Sequence, residues 1–248
     1  MKDSHRPRPW VQAALNGDRV HPATPRTPDE LAREARLAVA AGALSVHLHT
    51  YDESGEQSLA PDACAASVRA VRAVIPGIPI SHTTFAVIEP DPARRHALVS
   101  AWTELPDLVT INMGEAGAVA LCELAASRGI GIEAGLLTMV DVRAFIRHGV
   151  ASSCVRALIE PLLPDPDDAV ALAAEMEGAL DDAGIRIEQI HHGDGIASWA
   201  VNRRAVTRGH GIRTGLEDTP VLPDGRIAAG NAELVAAAIA MIADSSAS

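Results

Sequence analysis

The chain has 248 residues and a net charge of −11, 21 basic side chains against 32 acidic, with no block of like charge that reads as a nucleic-acid patch. No apolar run approaches the roughly 20 residues of a membrane span, and Met1 to Pro7 lack the apolar segment of a secretory signal, so no membrane partner and a cytoplasmic place are expected. The length suits one large core, so a single domain over 1–248 is expected, with 1–9 and 244–248 as flexible tails.

Short β-branched runs at 11–16, 44–49, 78–83, 108–113, 131–136, 155–162, 185–191 and 211–217 read as strands. Alanine-rich helical stretches follow each one, at about 28–41, 61–74, 93–105, 116–127, 140–150, 166–183, 196–208 and 231–243. Thr27-Pro28-Asp29-Glu30 is a helix start, with a capping hydroxyl, proline at the first helical position and acids in the first turn. Gly42, Gly77, Gly129, Gly184 and Gly209 stand where helices should stop. Eight strand–helix units in this length predict an α/β fold of the (β/α)8 TIM-barrel kind. An open doubly wound sheet is the alternative, but Asn16-Gly17-Asp18-Arg19 after the first strand is no dinucleotide fingerprint.

Barrel enzymes place their chemistry at strand exits. Polar residues cluster there: Asn16, His47 and His49, Ser81-His82-Thr83, Asn112, Glu133, Glu160, His191-His192 and Glu217-Asp218. His47 and His49, two apart on a strand, share a face and can hold one metal. By the same parity Arg213, Gly215 and Glu217 share a face of the eighth strand, roughly 10 Å from the second strand across the small residues Ala13 and Ala14. A carboxylate beside two imidazoles leaves an open position, which is how catalytic zinc is held. Layer-filling core histidines are the plain alternative, and a structural salt bridge is the plain reading of Arg213 with Glu217-Asp218. Otherwise Asp218 is free as a base and Arg213 can hold an acidic group. A hydrolytic barrel of the amidohydrolase type fits poorly, because its further histidines would fall where this chain has Glu133 and Glu160.

The seventh strand runs into His191-His192-Gly193-Asp194-Gly195, a glycine turn before a helix that suits phosphate, and Arg203, Arg204 and Arg208 on that helix face either an anionic cofactor or solvent. Cys64, Cys122 and Cys154 sit in apolar surroundings and read as buried thiols. Lys2 is the only lysine, so Schiff-base chemistry has no positioned amine.

Taken together, these stretches resemble the β-keto acid cleavage enzymes. The likeness runs through Ala14-Leu15-Asn16-Gly17, His21-Pro22, Thr27-Pro28-Asp29-Glu30, His47-Leu48-His49 with Asp52, Asn112, Glu133, Arg213, Gly215-Leu216-Glu217-Asp218 and Asn231-Ala232-Glu233-Leu234-Val235. It departs at Tyr51, at Ser81-His82-Thr83-Thr84, at Glu115 and at Gly135, where the family usually has arginine, Ser-Thr-Gly-Gly, a small residue and glutamate. The resemblance implies a zinc-bearing barrel and homo-oligomer that exchanges a β-keto acid with acetyl-CoA as co-substrate, giving acetoacetate and a new acyl-CoA. It implies His47, His49 and Glu217 as metal ligands and Asp218 as base with Arg213 and Glu133 as catalytic partners; Asn16, Ser81, Thr83 and Asn112, polar at the strand exits, are expected against substrate. A metal-dependent lyase or hydrolase that acts on a small carboxylic acid without CoA, and a barrel that binds without turnover, are the alternatives.

Overall fold

The structure is a computed structural model that describes residues 9–246. Eight parallel strands close into a barrel in chain order. They are β1 (Val11–Ala14), β2 (Ser45–Leu48), β3 (Ile80–Thr83), β4 (Leu108–Asn112), β5 (Gly131–Leu136), β6 (Arg156–Ile159), β7 (Glu188–His191) and β8 (Gly211–Thr214). Each is followed by its helix: α1 (Pro28–Ala40), α2 (Pro61–Val74), α3 (Pro92–Ser100), α4 (Ala118–Ser127), α5 (Met139–His148), α6 (Pro166–Asp182), α7 (Ala197–Arg208) and α8 (Asn231–Ser246). The predicted (β/α)8 barrel is therefore the fold. Of the tails expected at 1–9 and 244–248, residues 1–8 and 247–248 lie outside the described residues, and residues 244–246 belong to α8, which continues to Ser246. Among the described residues no helix is long and apolar enough to cross a membrane.

The helix boundaries have local causes. Thr27 accepts from the Glu30 amide at 3.3 Å while Glu30 accepts from the Thr27 amide at 3.0 Å, the reciprocal cap that starts α1. The five glycines expected at helix ends all have positive φ, between 71° and 116°. The third helix stops at Ser100 rather than near 105, because the chain turns there to bury Trp102, whose Nε1 donates to the Leu59 carbonyl at 2.9 Å. All three thiols stay protonated: burial pushes Cys64 and Cys154 up to about 12 and Cys122 up to about 11.

Strand alternation divides the protein into two chemistries. Val11, Ala13, Val46, Leu48, Ile80, Val109, Ile111, Ile132, Ala134, Ala157 and Ile159 face outward and pack against the helices. Much of the interior, by contrast, is polar: Gln12, Ser45, His47, Ser81, Thr110, Glu133, Arg156 and Arg213 are all buried. Closure puts Gln12 beside Arg213 and Ser45, His47 beside Ser81, and Glu133 beside Thr110 and Arg156. Buried polar groups must satisfy one another, so this interior forms a connected network under the mouth of the barrel.

Candidate active site

Glu133 anchors the network. One carboxylate oxygen accepts from Gln12 Nε2 and Arg156 Nε, both at 2.8 Å. The other accepts from Ser81 Oγ, and from Thr110 Oγ1 at 3.2 Å. Ser81 has given its proton to Glu133, so toward His47 Nδ1, 3.0 Å away, it can only accept. The proton of His47 therefore sits on Nδ1, and its Nε2 lone pair points to the mouth.

His49 turns the same nitrogen to the mouth by another route. Its Nδ1 donates to Gln57 Oε1 at 2.5 Å, leaving Nε2 toward Glu217 to carry either a proton or a metal. His47 Nε2 lies 3.7 Å and His49 Nε2 3.3 Å from the Glu217 carboxylate. The three ligand atoms are all within 4.8 Å of one another. A tetrahedral ion with bonds of about 2.1 Å needs its ligands roughly 3.3 Å apart, so a small movement closes the set. Glu217 Oε2 is buried with no hydrogen-bond partner, which is the free lone pair a metal takes. Two neutral imidazole nitrogens, a carboxylate and an open side match a divalent ion of the zinc type. Burial drives His47 well below its ordinary pKa, helped by Arg213, His49 and His82 and opposed by Glu217. At His49 burial also opposes charge, but Glu217 and Gln57 outweigh it and raise the value.

Glu217 and Asp218 do not lie on a strand. β8 ends at Thr214, and residues 215–218 form a turn in which the Asp218 and Thr219 amides donate to the Gly215 carbonyl at 3.0 and 2.9 Å. Strand parity would turn adjacent carboxylates to opposite sides. The turn sends both to the mouth, correcting the extended eighth strand expected from the sequence. It needs Gly215, where an added Cβ would stand 1.9 Å from the Ala14 carbonyl oxygen. It also needs Gly17, with φ +60°, where a Cβ would stand 2.5 Å from Glu217 Cγ.

Arg213 holds Asp218 with two bonds, Nη2 to Oδ1 at 2.7 Å and Nε to Oδ2 at 3.3 Å, and reaches Glu217 Oε1 at 3.1 Å. His192 lies between two acids, Nδ1 3.4 Å from Asp218 and Nε2 3.4 Å from Glu160. Burial and Arg213 work against its charge, yet Glu160 and Asp218 prevail and raise it to about 9. Burial alone would raise Asp218, but Arg213 and His192 reverse this and hold it below the usual carboxylate range. At neutral pH the site thus presents an ionised Asp218 between two cations. Such a carboxylate accepts a proton from a carbon acid only when the forming anion is itself stabilised nearby.

These groups line a cavity of about 250 Å³. His47, His49, Glu217, Asp218, Arg213, Thr83 and Asn112 all border it. Three expected site residues do not. Glu133 and Ser81 lie one layer below and act through His47, while Asn16 spends its side chain on the Pro25 and His49 backbone. Their place is positioning, because none has a polar atom left at the mouth. Asn112 donates to Glu115 at 2.9 Å, and at Gly135 an added Cβ would meet Asn112 Oδ1 at 2.2 Å. The phosphate-like turn after β7 is used internally: the Gly193 amide donates to Ser198 Oγ at 3.3 Å and the Gly195 amide to the Asp218 carbonyl at 2.8 Å. Arg204 and Arg208 turn to Glu177 on α6 rather than to a cofactor. Gln57, Thr110 and His192 join this cluster by contact with His49, Glu133 and Asp218, and the sequence reading did not assign them. His192 had a signal, its place in the His-His pair at a strand exit, whereas Gln57 lies in a polar loop and had none.

Residues 9–139 and 162–247 match the family model described as beta-keto acid cleavage enzyme. The 3-keto-5-aminohexanoate cleavage enzyme of Fusobacterium nucleatum subsp. nucleatum is 25% identical over 242 residues, covering 91% of this chain and 88% of that one. Among solved structures, the ternary complex of ObcA with C4-CoA adduct and oxalate superposes with a TM-score of 0.75 at 18% identity, over 90% of this chain but 64% of that one. The 3-dehydroquinate dehydratase of Geobacillus kaustophilus HTA426 superposes with a TM-score of 0.68 at 13% identity, over 96% and 91% of the two chains. At these identities the two structures speak for the barrel alone.

Proposed function

This chain belongs to the β-keto acid cleavage enzyme family, and from that premise we propose that it uses zinc at His47, His49 and Glu217 to exchange a β-keto acid with acetyl-CoA. A bound divalent ion supplies Lewis acidity to the ketone and carboxylate oxygens, lowering the cost of an enolate without a lysine. Asp218 takes the proton from the carbon between them at Oδ2, the oxygen less engaged by Arg213. That carbon attacks the thioester carbonyl and CoA leaves as thiolate. The thiolate then attacks the original ketone, the carbon–carbon bond breaks, and acetoacetate and the new acyl-CoA result. Arg213 orients Asp218 and His192 stays protonated beside it, so the proton returns to the product enolate rather than to solvent.

The observation that carries this reading is the convergence, in one cavity, of two Nδ1-anchored imidazoles, a carboxylate with an orphaned oxygen, and a second carboxylate held by arginine. A panel of β-keto acids with acetyl-CoA should yield acetoacetate, with activity lost on chelation and restored by zinc. Asp218→Asn should lower kcat by about 10²–10⁴-fold. Full turnover in Asp218→Asn, or no stoichiometric divalent ion in the purified protein, overturns the reading. A metal-dependent lyase or hydrolase without CoA is favoured by the turn after β7, whose glycine amides are already engaged. Product formation without acetyl-CoA, and with no change in free thiol, would select it.

A further inference from the structure

The mouth of the barrel is chemically two-sided. The ligand and base residues come from β2 and its exit and from the turn after β8, and Gly17, Asp18 and Arg19 after β1 line the cavity beside them. Five apolar side chains also line the cavity: Phe85, Val87 and Ile88 after β3, Leu137 just after β5, and Leu162 after β6. In a barrel closed in chain order, β5 stands diametrically opposite β1, so Leu137 and, beside it, Leu162 lie at the far end of a ligand held by the metal-ligand side, while the Phe85–Ile88 loop flanks that ligand from β3, next to β2. Val87 is 75% and Leu162 49% exposed, an arrangement that costs free energy unless something apolar covers it. Leu137 and Leu162 also flank the stretch 140–161 that lies outside the family match.

Charge removes the competing tails. The two arginines lining the cavity are both committed, Arg19 to Asp194 and Arg213 to Asp218, Glu217 and Glu160. A second carboxylate on the substrate would find no free cation there, and an ammonium seated on the apolar wall would be desolvated, since Asp194 and Glu160 are already paired and Asp18 lies exposed on the loop after β1, on the metal-ligand side. The cavity of about 250 Å³ lies just below the usual range for ligand sites, which limits the occupant to a small molecule.

Resting on the β-keto acid reading above, we infer that the substrate is a β-keto acid with a short uncharged alkyl tail, seated on Phe85, Val87, Ile88, Leu137 and Leu162. The wall residues determine specificity by contact with the tail; the chemistry stays with the metal-ligand side.

The test uses zinc-loaded full-length protein and β-keto acids with tails from methyl to pentyl, beside isosteric acids ending in carboxylate or ammonium. Both kcat/KM and calorimetric affinity should rise about three- to fourfold per methylene until the cavity fills. The charged tails should fall at least about tenfold below their alkyl isostere. In Val87→Asn/Leu162→Asn, two positions exposed enough to be replaced without unfolding, the gain per methylene should shrink to about one. A flat series, or preference for either charged tail, overturns the inference while leaving the exchange reading intact. Affinity that climbs with tail length without any turnover sinks the exchange reading and leaves the tail site standing. If the double variant changes the oligomeric state but not the chain-length slope, the wall is an interface between copies and the inference fails.

Discussion

Replacing Gln57 by leucine removes the oxygen that fixes His49 without touching a ligand atom. The Gln57 loop is held by its backbone: the Asp52 amide donates to the Glu56 carbonyl and the Ser58 amide to the Thr50 carbonyl, both at 2.9 Å. Gln57 is only half-buried, so leucine should leave the fold in place. What is lost is the 2.5 Å acceptor that selects the Nδ1–H tautomer and aims Nε2 at Glu217. Losses of this kind cost about 10–100-fold in metal affinity, which is about 1.4–2.8 kcal/mol. One effect opposes it. Gln57 also helps to raise the pKa of His49, so its removal lowers proton competition for the same nitrogen. Repeating the measurement at rising pH suppresses that term, because proton competition fades once the raised His49 has lost its proton. The assay is competition for zinc against a chromophoric chelator, with thermal unfolding followed by circular dichroism on the same samples. Gln57→Glu should bind at least as tightly as the parent. A folded Gln57→Leu protein within twofold of the parent affinity would refute the role given to this loop.

Other substitutions test the layers beneath. Ser81→Ala takes away the 3.0 Å acceptor of His47 and should weaken zinc about tenfold in the same titration, with Thr110, 3.4 Å away, as a partial substitute. Glu133→Gln takes from buried Arg156 its 2.8 Å counter-charge and leaves it only Glu188 at 3.8 Å, so urea denaturation should register a loss of about 1–3 kcal/mol. Gly215→Ala drives a methyl into the Ala14 carbonyl and should cost more than about 3 kcal/mol or abolish soluble expression; near-parental stability would mean that the turn is not fixed there. For His192 the folded value, about 9, lies above the ordinary 6.5, so its stabilisation is complete below about 6.5 and fades as pH rises toward 9. The stability gap between the protein and His192→Asn should narrow over that window, whereas a gap independent of pH contradicts the buried imidazolium.

Much of this site was legible because strand parity is strict. His47 and His49 share a face for the reason given by their spacing, and Gly42, Gly77 and Gly129 end helices because only glycine adopts their backbone cheaply. The same rule failed at Glu217-Asp218. Apolar and β-branched residues continue past Thr214, so nothing local in Gly215-Leu216 announces that contact with Ala14 ends the strand. Arg156 and Glu133 were invisible as a pair, since their meeting requires the register of β5 on β6. Gln57 was invisible for a different reason. Its loop has no periodicity, and its function exists only once the Tyr51–Gln57 bridge folds it back over His49. The glycine turn after β7 had the right composition for phosphate but lost to bonds within ten residues or from the neighbouring turn, which composition does not weigh.

Charge balance explains why this centre should prefer an anion only after it is loaded. Glu217, Asp218 and Glu160 bring three carboxylates to the site. Arg213 and protonated His192 supply two cations, and His47 stays neutral because burial holds it far below its ordinary value. Without metal, the raised His49 can carry the third positive charge, and the buried group is then neutral. A divalent ion must displace that proton to reach Nε2, adding two charges and removing one. The loaded site is left with one positive charge, the complement of one substrate carboxylate. At about 4 Å and an effective dielectric near 20 a unit pair is worth about 4 kcal/mol before desolvation, so a coupling of roughly 1–3 kcal/mol is reasonable. Zinc should therefore tighten binding of a β-keto acid by about 5–150-fold, and the acid should tighten zinc by the same factor. Zinc binding near neutral pH should also release about one proton, read from the buffer dependence of its calorimetric enthalpy. The neutral methyl ester of the same acid is the control. If the ester couples to zinc as strongly as the acid, metal contact with the ketone dominates and the charge balance is not what selects the substrate.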